Sequence, residues 1–211
     1  MLLAGDVGGT KTLLALFEPT ADGLHQRRDA TFKSQSYGSL DDILAEFLGP
    51  SGQRPLQAAC FGVPGAVIDG RCEATNLPWI LDENALATRL AVRRVKLLND
   101  LEAAAYGMLH LPANEFTILN AGATPRRHGN VAVIAAGTGL GEAILFWDGQ
   151  EHHPIATEGG HTSFAPRTDQ EIALLRYLRN KFGGHVSYER LLAGPGLENI
   201  YAFLRDGGFA P

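Results

Sequence analysis

The residues able to do chemistry fall in a few short segments. Asp6-Val7-Gly8-Gly9-Thr10-Lys11 separates two apolar runs, so it reads as a bend between strands, and it lacks the spacing of a Walker A loop. Glycines on such a bend let backbone N–H groups approach a polyphosphate closely. Thr10 adds a hydroxyl donor, and Asp6 can hold a Mg²⁺-bound water. A plain hairpin, its glycines only permitting positive φ, is the competing reading. Ala136-Gly137-Thr138-Gly139-Leu140-Gly141 repeats the construction. Two such bends, one in each half, fit a nucleotide held between two domains.

Asn99-Asp100 ends an apolar strand and opens a helix, where α/β folds turn loop residues toward a ligand. A carboxylate there can take the proton of a hydroxyl that attacks phosphorus, and the neighbouring amide can orient the acceptor. Capping of the helix by Asp100 is the alternative. Glu158-Gly159-Gly160-His161 and Glu189 supply two more carboxylates and an imidazole in glycine-flanked settings. Sugar hydroxyls pair with such groups; surface polarity alone also accounts for them.

The elements that must position these groups are legible in part. Strands are expected over residues 2–5 and 12–17, with a third near 28–33. Ser39 should cap a helix through Phe47, followed by a break at Gly49-Pro50-Ser51-Gly52-Gln53. A buried strand over 56–62 leads to a hairpin in which Ala66-Val67-Ile68 and Arg71-Cys72-Glu73 flank Asp69-Gly70. Asp82 should cap a helix to about Leu90, and a strand over 95–98 precedes a helix over 101–109. Beyond it come strands over 115–120, 131–136 and 142–147. The Thr168-Asp169-Gln170-Glu171 capping box should open a helix with Ile172, Leu175, Tyr177, Leu178 and Phe182 on its apolar face. Ser187 should cap a short helix, which Gly194-Pro195-Gly196 separates from a last one ending at Asp206. The pattern is mixed α/β with a junction near residue 110: a small N-terminal α/β lobe over 1–110, and over 111–211 the N-terminal part of a larger one.

Bulk properties narrow the partners. The 211 residues carry a formal charge of -5, and the basic clusters Arg27-Arg28, Arg93-Arg94-Val95-Lys96 and Arg126-Arg127-His128 are short, so neither nucleic acid nor an anionic membrane is an expected partner. No apolar run is long enough to span a bilayer, and Cys60 and Cys72 are the only cysteines, which suits reduced thiols and a cytoplasmic protein.

Taken together, these motifs resemble bacterial glucokinases of the hexokinase and actin superfamily. Asp6-Val7-Gly8-Gly9-Thr10 and Ala136-Gly137-Thr138-Gly139-Leu140-Gly141 are similar to that family's phosphate motifs. Leu98-Asn99-Asp100 looks like its catalytic segment. Thr75-Asn76-Leu77-Pro78-Trp79, Glu158-Gly159-Gly160-His161 and His185-Val186-Ser187-Tyr188-Glu189-Arg190, followed by Gly194-Pro195-Gly196-Leu197, resemble its sugar-side stretches. The resemblance implies a two-lobed RNase H-like (actin-like ATPase) fold with the site in the interlobe cleft. It implies ATP-dependent phosphorylation of glucose at its 6-hydroxyl, with Mg²⁺. Asp100 would be the base, with Asn99, Asp100, Glu158, His161 and Glu189 on the sugar. Gly5, Asp6, Val7, Gly8, Gly9 and Thr10, with Gly137, Thr138 and Gly139, would cradle the ATP phosphates. No residue is expected as a direct metal ligand, and with no cysteine over residues 162–166 a structural zinc is not expected. A homodimer is left open. Family members continue past the position of Pro211, so the second lobe is expected to be incomplete here. A sugar-binding form without full kinase activity is the alternative.

Overall fold

The computed structural model describes residues 1–49, 55–122 and 128–208. Most of the break expected after Gly49, the Arg126-Arg127 pair and Pro211 lie outside them. The chain divides into two compact units, Met1–Gly107 and Met108–Pro211.

In the first unit, β1 (Leu2–Val7), β2 (Lys11–Thr20) and β3 (Gly23–Lys33) form an antiparallel meander. Two further strands, β4 (Ala58–Val63) and β7 (Val95–Asn99), add in parallel to give the five-stranded order β3-β2-β1-β4-β7. Period-two alternation sends Leu3 and Val7, Leu14 and Leu16, Phe61 and Val63, and Leu97 into a core shared with Ile43, Leu44 and Phe47 of α1 (Leu40–Leu48). Ser39 caps α1, its hydroxyl accepting from the Asp42 N–H. Asp82 caps α2 (Glu83–Leu90) through the Asn84 and Ala85 N–H groups. These elements follow the sequence pattern, and α3 (Asp100–Met108) leaves β7 directly at Asn99.

The expected hairpin across Asp69-Gly70 forms as a turn but not as a ladder. Asp69 and Gly70 take φ of 50° and 75°, and Ile68 and Arg71 exchange bonds of 2.9 Å, yet that bridge stands alone. Instead β5 (Arg71–Glu73) pairs with β6 (Ile80–Asp82), a strand the sequence did not suggest. Burial explains the choice: Cys72 and Leu81 are enclosed, whereas Ile68 is 69% exposed.

In the second unit, β8 (Val131–Ala136), β9 (Leu140–Trp147) and β10 (His152–Thr157) form an antiparallel sheet in the order β10-β9-β8. β10 was not expected; Pro154 reads as a strand breaker, and an edge strand tolerates it. The strand expected over 115–120 is instead a 3₁₀ turn at Ala113–Glu115 followed by irregular chain, and Leu119 is 96% exposed. Its alternating pattern finds no sheet neighbour among the described residues, and an unpaired strand has no ladder to satisfy its backbone.

α4 (Asp169–Phe182) opens with the expected capping box of Thr168 and Glu171. Leu178 is buried with Val186 and Leu191, and Leu175, Tyr177 and Phe182 pack against the same cluster as expected; Leu174 joins them, whereas Ile172 stands 37% exposed. Ser187 does not cap α5 (Glu189–Leu192); it is buried and bridges Ser163, and Tyr188 occupies the cap. Gly194-Pro195-Gly196 forms the first turn of α6 (Gly194–Asp206) rather than a spacer, with Pro195 where its missing N–H costs nothing. Among the described residues no helix is long and apolar enough to cross a membrane.

Candidate active site

The first glycine bend joins β1 to β2. Gly8 donates its N–H to the Lys11 carbonyl at 2.9 Å. Buried Ser34 locks the bend from outside: its N–H donates to Thr10 O at 3.0 Å, and its hydroxyl donates to Gly8 O at 2.7 Å and lies 3.0 Å from Thr12 Oγ1. None of Gly8, Gly9, Gly137 and Gly139 has positive φ. These glycines are therefore not there to permit a left-handed turn. At Gly8 and Gly9 what the absent side chains provide is room. A Cβ on Gly8 would sit 2.9 Å from Lys11 O, and one on Gly9 would sit 3.3 Å from the Cβ of Asn76.

Asp6 pairs in register with Gly62 on β4, and Val63 pairs with Asn99 on β7. The bend and the Asn99-Asp100 pair thus leave the same C-terminal edge of three parallel strands, the end where α/β sheets bind ligands. Gly62 permits the close approach, since a Cβ there would lie 3.2 Å from Ala103 Cβ and 3.8 Å from Asp100 Cα.

The cap of α3 is Asn99, not Asp100. Asn99 Oδ1 accepts from the N–H groups of Leu101 at 3.0 Å and Glu102 at 3.3 Å, and Glu102 Oε2 accepts in return from the Asn99 N–H at 3.3 Å. This reciprocal capping box escaped the sequence reading, although its signal, Asn99 followed three residues later by Glu102, was present. Asn99 Nδ2 also donates to Gly65 O at 3.2 Å. Asp100, first residue of the helix and exposed, has one oxygen sharing the Leu101 N–H at 2.8 Å.

In the second unit a short antiparallel bridge does the positioning. Phe164 donates to Val186 O at 2.8 Å and Tyr188 to Thr162 O at 3.0 Å, which places the 3₁₀ turn Gly159–His161 beside α5. The three side chains singled out there fall in line. His161 Nε2 stands 3.7 Å from Glu158 Oε2, and His161 Nδ1 stands 4.0 Å from Glu189 Oε1. Both gaps exceed hydrogen-bond length, so these polar atoms are gathered without satisfying one another. Glu158 is 87% exposed and Glu189 25%. Glu189 Oε2 accepts the Leu140 N–H at 3.0 Å, at the end of the second glycine bend. That bend is closed by Gly137 N–H donating to Gly139 O, and tied to α6 by Gly194 N–H donating to Gly137 O, each at 2.8 Å. Thr138 lies exposed at its tip.

Among the described residues no group of three or more His, Cys, Asp or Glu is placed to hold a metal ion. Asp6, the residue before Val7 at the end of β1, stands exposed beside the first bend.

The glucokinase family model matches residues 3–208. The chain is 37% identical to a glucokinase of Nostoc punctiforme, over 100% of this chain and 62% of that protein. It is 40% identical to one of Synechocystis sp., over 96% and 60%. The crystal structure of a glucokinase from an Antarctic psychrotroph superposes with a TM-score of 0.85 at 30% identity, covering 100% of this chain and 66% of that one. The chain therefore spans about three-fifths of the length of the curated relatives it matches. The expected actin-like ATPase fold is the one it shares with these sugar kinases. With motifs, fold and near-complete coverage by the family model in agreement, the chain belongs to the glucokinase family.

Proposed function

We propose that this chain carries the sugar-binding groups, the base and two phosphate-binding bends of an ATP-dependent glucose kinase. The observation that carries the reading is the line Glu158–His161–Glu189, ending on the Leu140 N–H beside the Gly137-Thr138-Gly139 bend. It puts two carboxylates and an imidazole next to a turn whose glycines leave backbone exposed.

Glu158, His161 and Glu189 pair with hydroxyls of the hexose. Asn99, whose oxygen and one N–H are committed to α3 and Gly65, has one N–H left to offer a sugar oxygen. Asp100 accepts the proton of the 6-hydroxyl as that oxygen bonds the γ-phosphorus of ATP; the bond from phosphorus to the β,γ-bridging oxygen breaks and ADP leaves. The bends Gly5 to Thr10 and Gly137-Thr138-Gly139 hold the phosphates, with Gly9, Thr10, Thr138 and Gly139 offering backbone N–H groups while Gly8 and Gly137 spend theirs on Lys11 O and Gly139 O; Asp6 would meet a phosphate-bound cation through water. Mg²⁺, when bound, neutralises the phosphate charge that builds during transfer. Most of the acceleration comes from in-line positioning, and the base adds ~10²–10⁴-fold.

A coupled assay of ADP release tests this on the 211-residue chain. Release that requires glucose, with glucose 6-phosphate as product, is the expected result. Calorimetric binding of glucose without ADP would leave a sugar-binding protein, and absence of both would remove the reading.

A further inference from the structure

We infer that Glu189 is also a positioning residue for the second glycine bend, so that sugar occupancy and the shape of a phosphate-binding turn are coupled through one carboxylate. The inference rests on the sugar reading above and adds a link within that site. Its two oxygens face different tasks. Oε1 looks toward His161 at 4.0 Å, while Oε2 accepts the Leu140 N–H at 3.0 Å. A carboxylate bonded to an amide in a partly enclosed setting makes one of the stronger hydrogen bonds available to a protein.

The same short segment grips both ends of the bend. Glu189 holds Leu140, Ala193 donates to Glu189 O at 3.1 Å, and Gly194 donates to Gly137 O at 2.8 Å. Gly139 is small for this reason. Its φ is not positive, yet a Cβ there would lie 2.6 Å from Glu189 Oε2, whereas a Cβ on Gly137 would meet nothing within 4 Å. From the sugar side, Gly160 packs so closely on Leu140 O that a Cβ would collide with it. A hydroxyl donated to Oε1 fixes the Glu189 rotamer, and that rotamer keeps the Leu140 N–H, and with it the bend, in place. By linkage, whatever displaces Glu189 from the bend side weakens sugar binding.

Two measurements test this. The first is amide exchange at Leu140. Glu189→Ala should speed it by about tenfold, while Glu189→Gln, which still presents an acceptor oxygen, should stay near the unmodified chain. Unchanged exchange in Glu189→Ala overturns the clamp. The second is glucose calorimetry without nucleotide. Gly139→Ala should weaken affinity about tenfold, and Ile134→Ala, at a 67% exposed position on β8, should leave sugar affinity within about twofold. Wild-type affinity in Gly139→Ala, or equal loss in both variants, overturns the coupling. If the unmodified chain binds no glucose, the sugar reading falls and takes the coupling with it; the clamp is then judged by exchange alone.

Discussion

Asn99 and Glu102 cap one another: the Asn99 amide oxygen takes the Glu102 N–H, and the Glu102 carboxylate takes the Asn99 N–H, both at 3.3 Å. Asp100 lies inside this loop of bonds, so the residue proposed as base is aimed by its neighbours as well as by its own bond from the Leu101 N–H at 2.8 Å. Glu102→Ala should cost about 1 kcal/mol in stability, the usual worth of a helix cap. It should lower kcat more than it raises KM for glucose, since it loosens Asp100 without touching the Glu158–His161–Glu189 line. Urea unfolding and steady-state kinetics check both halves.

Ser34 has no solvent exposure and joins the first bend to β2 through Gly8 O and Thr12 Oγ1. Ser34→Ala leaves those atoms short of a partner in a closed site, at a cost of about 1–3 kcal/mol. The Thr12→Val/Ser34→Ala pair should recover part of that loss, because the stranded Thr12 hydroxyl is then gone while Gly8 O still lacks its donor. The double variant should still raise KM for ATP, because Gly8 O keeps no side-chain anchor. Denaturation curves of the two variants decide the first point and nucleotide kinetics the second.

Acid stability should depend on the Asp148 turn. N–H groups of Glu151 at 2.9 Å and Gln150 at 2.7 Å, with the His153 ring at 2.7 Å, hold this carboxyl below its ordinary 3.8, at about 2. A depressed folded value means the contribution is whole above the unfolded value and fades as pH falls from there toward 2. Glu171, bonded by the N–H groups of Arg167 and Thr168, shifts in the same direction. Asp148→Asn should therefore lower stability at neutral pH, where the contribution is whole, and flatten the acid limb, so that the two proteins converge as pH falls toward 2, as read by urea midpoints.

Local chemistry was legible where a side chain acts within a few residues. Ser39, Asp82 and Thr168 announce their helices because a cap needs only an oxygen and the next turn's N–H groups. The glycine bends were visible for the same reason. What escaped depends on partners far along the chain. β5 pairs with β6 because Cys72 and Leu81 are enclosed together, and no turn residue records that. Ser187 looks like a cap by type, but its pairing with Ser163 takes it into the interior. Residues 115–120 alternate like a strand, and alternation cannot supply a neighbour.

The site was legible as residue types and not as a constellation. Glu158, His161 and Glu189 are separated by up to 31 positions, and only the bridge between residues 162–164 and 186–188 reveals that they face one another. The role of Glu189 at Leu140 had no sequence signal at all, since the partner is a backbone N–H.

The central claim is that Asp100 takes the proton from a bound sugar hydroxyl during phosphoryl transfer. The most direct measurement pairs glucose calorimetry with ADP release in Asp100→Ala. Transfer should fall by ~10²–10⁴-fold with glucose affinity within about threefold of the unmodified chain. Turnover near that of the unmodified chain would contradict the account.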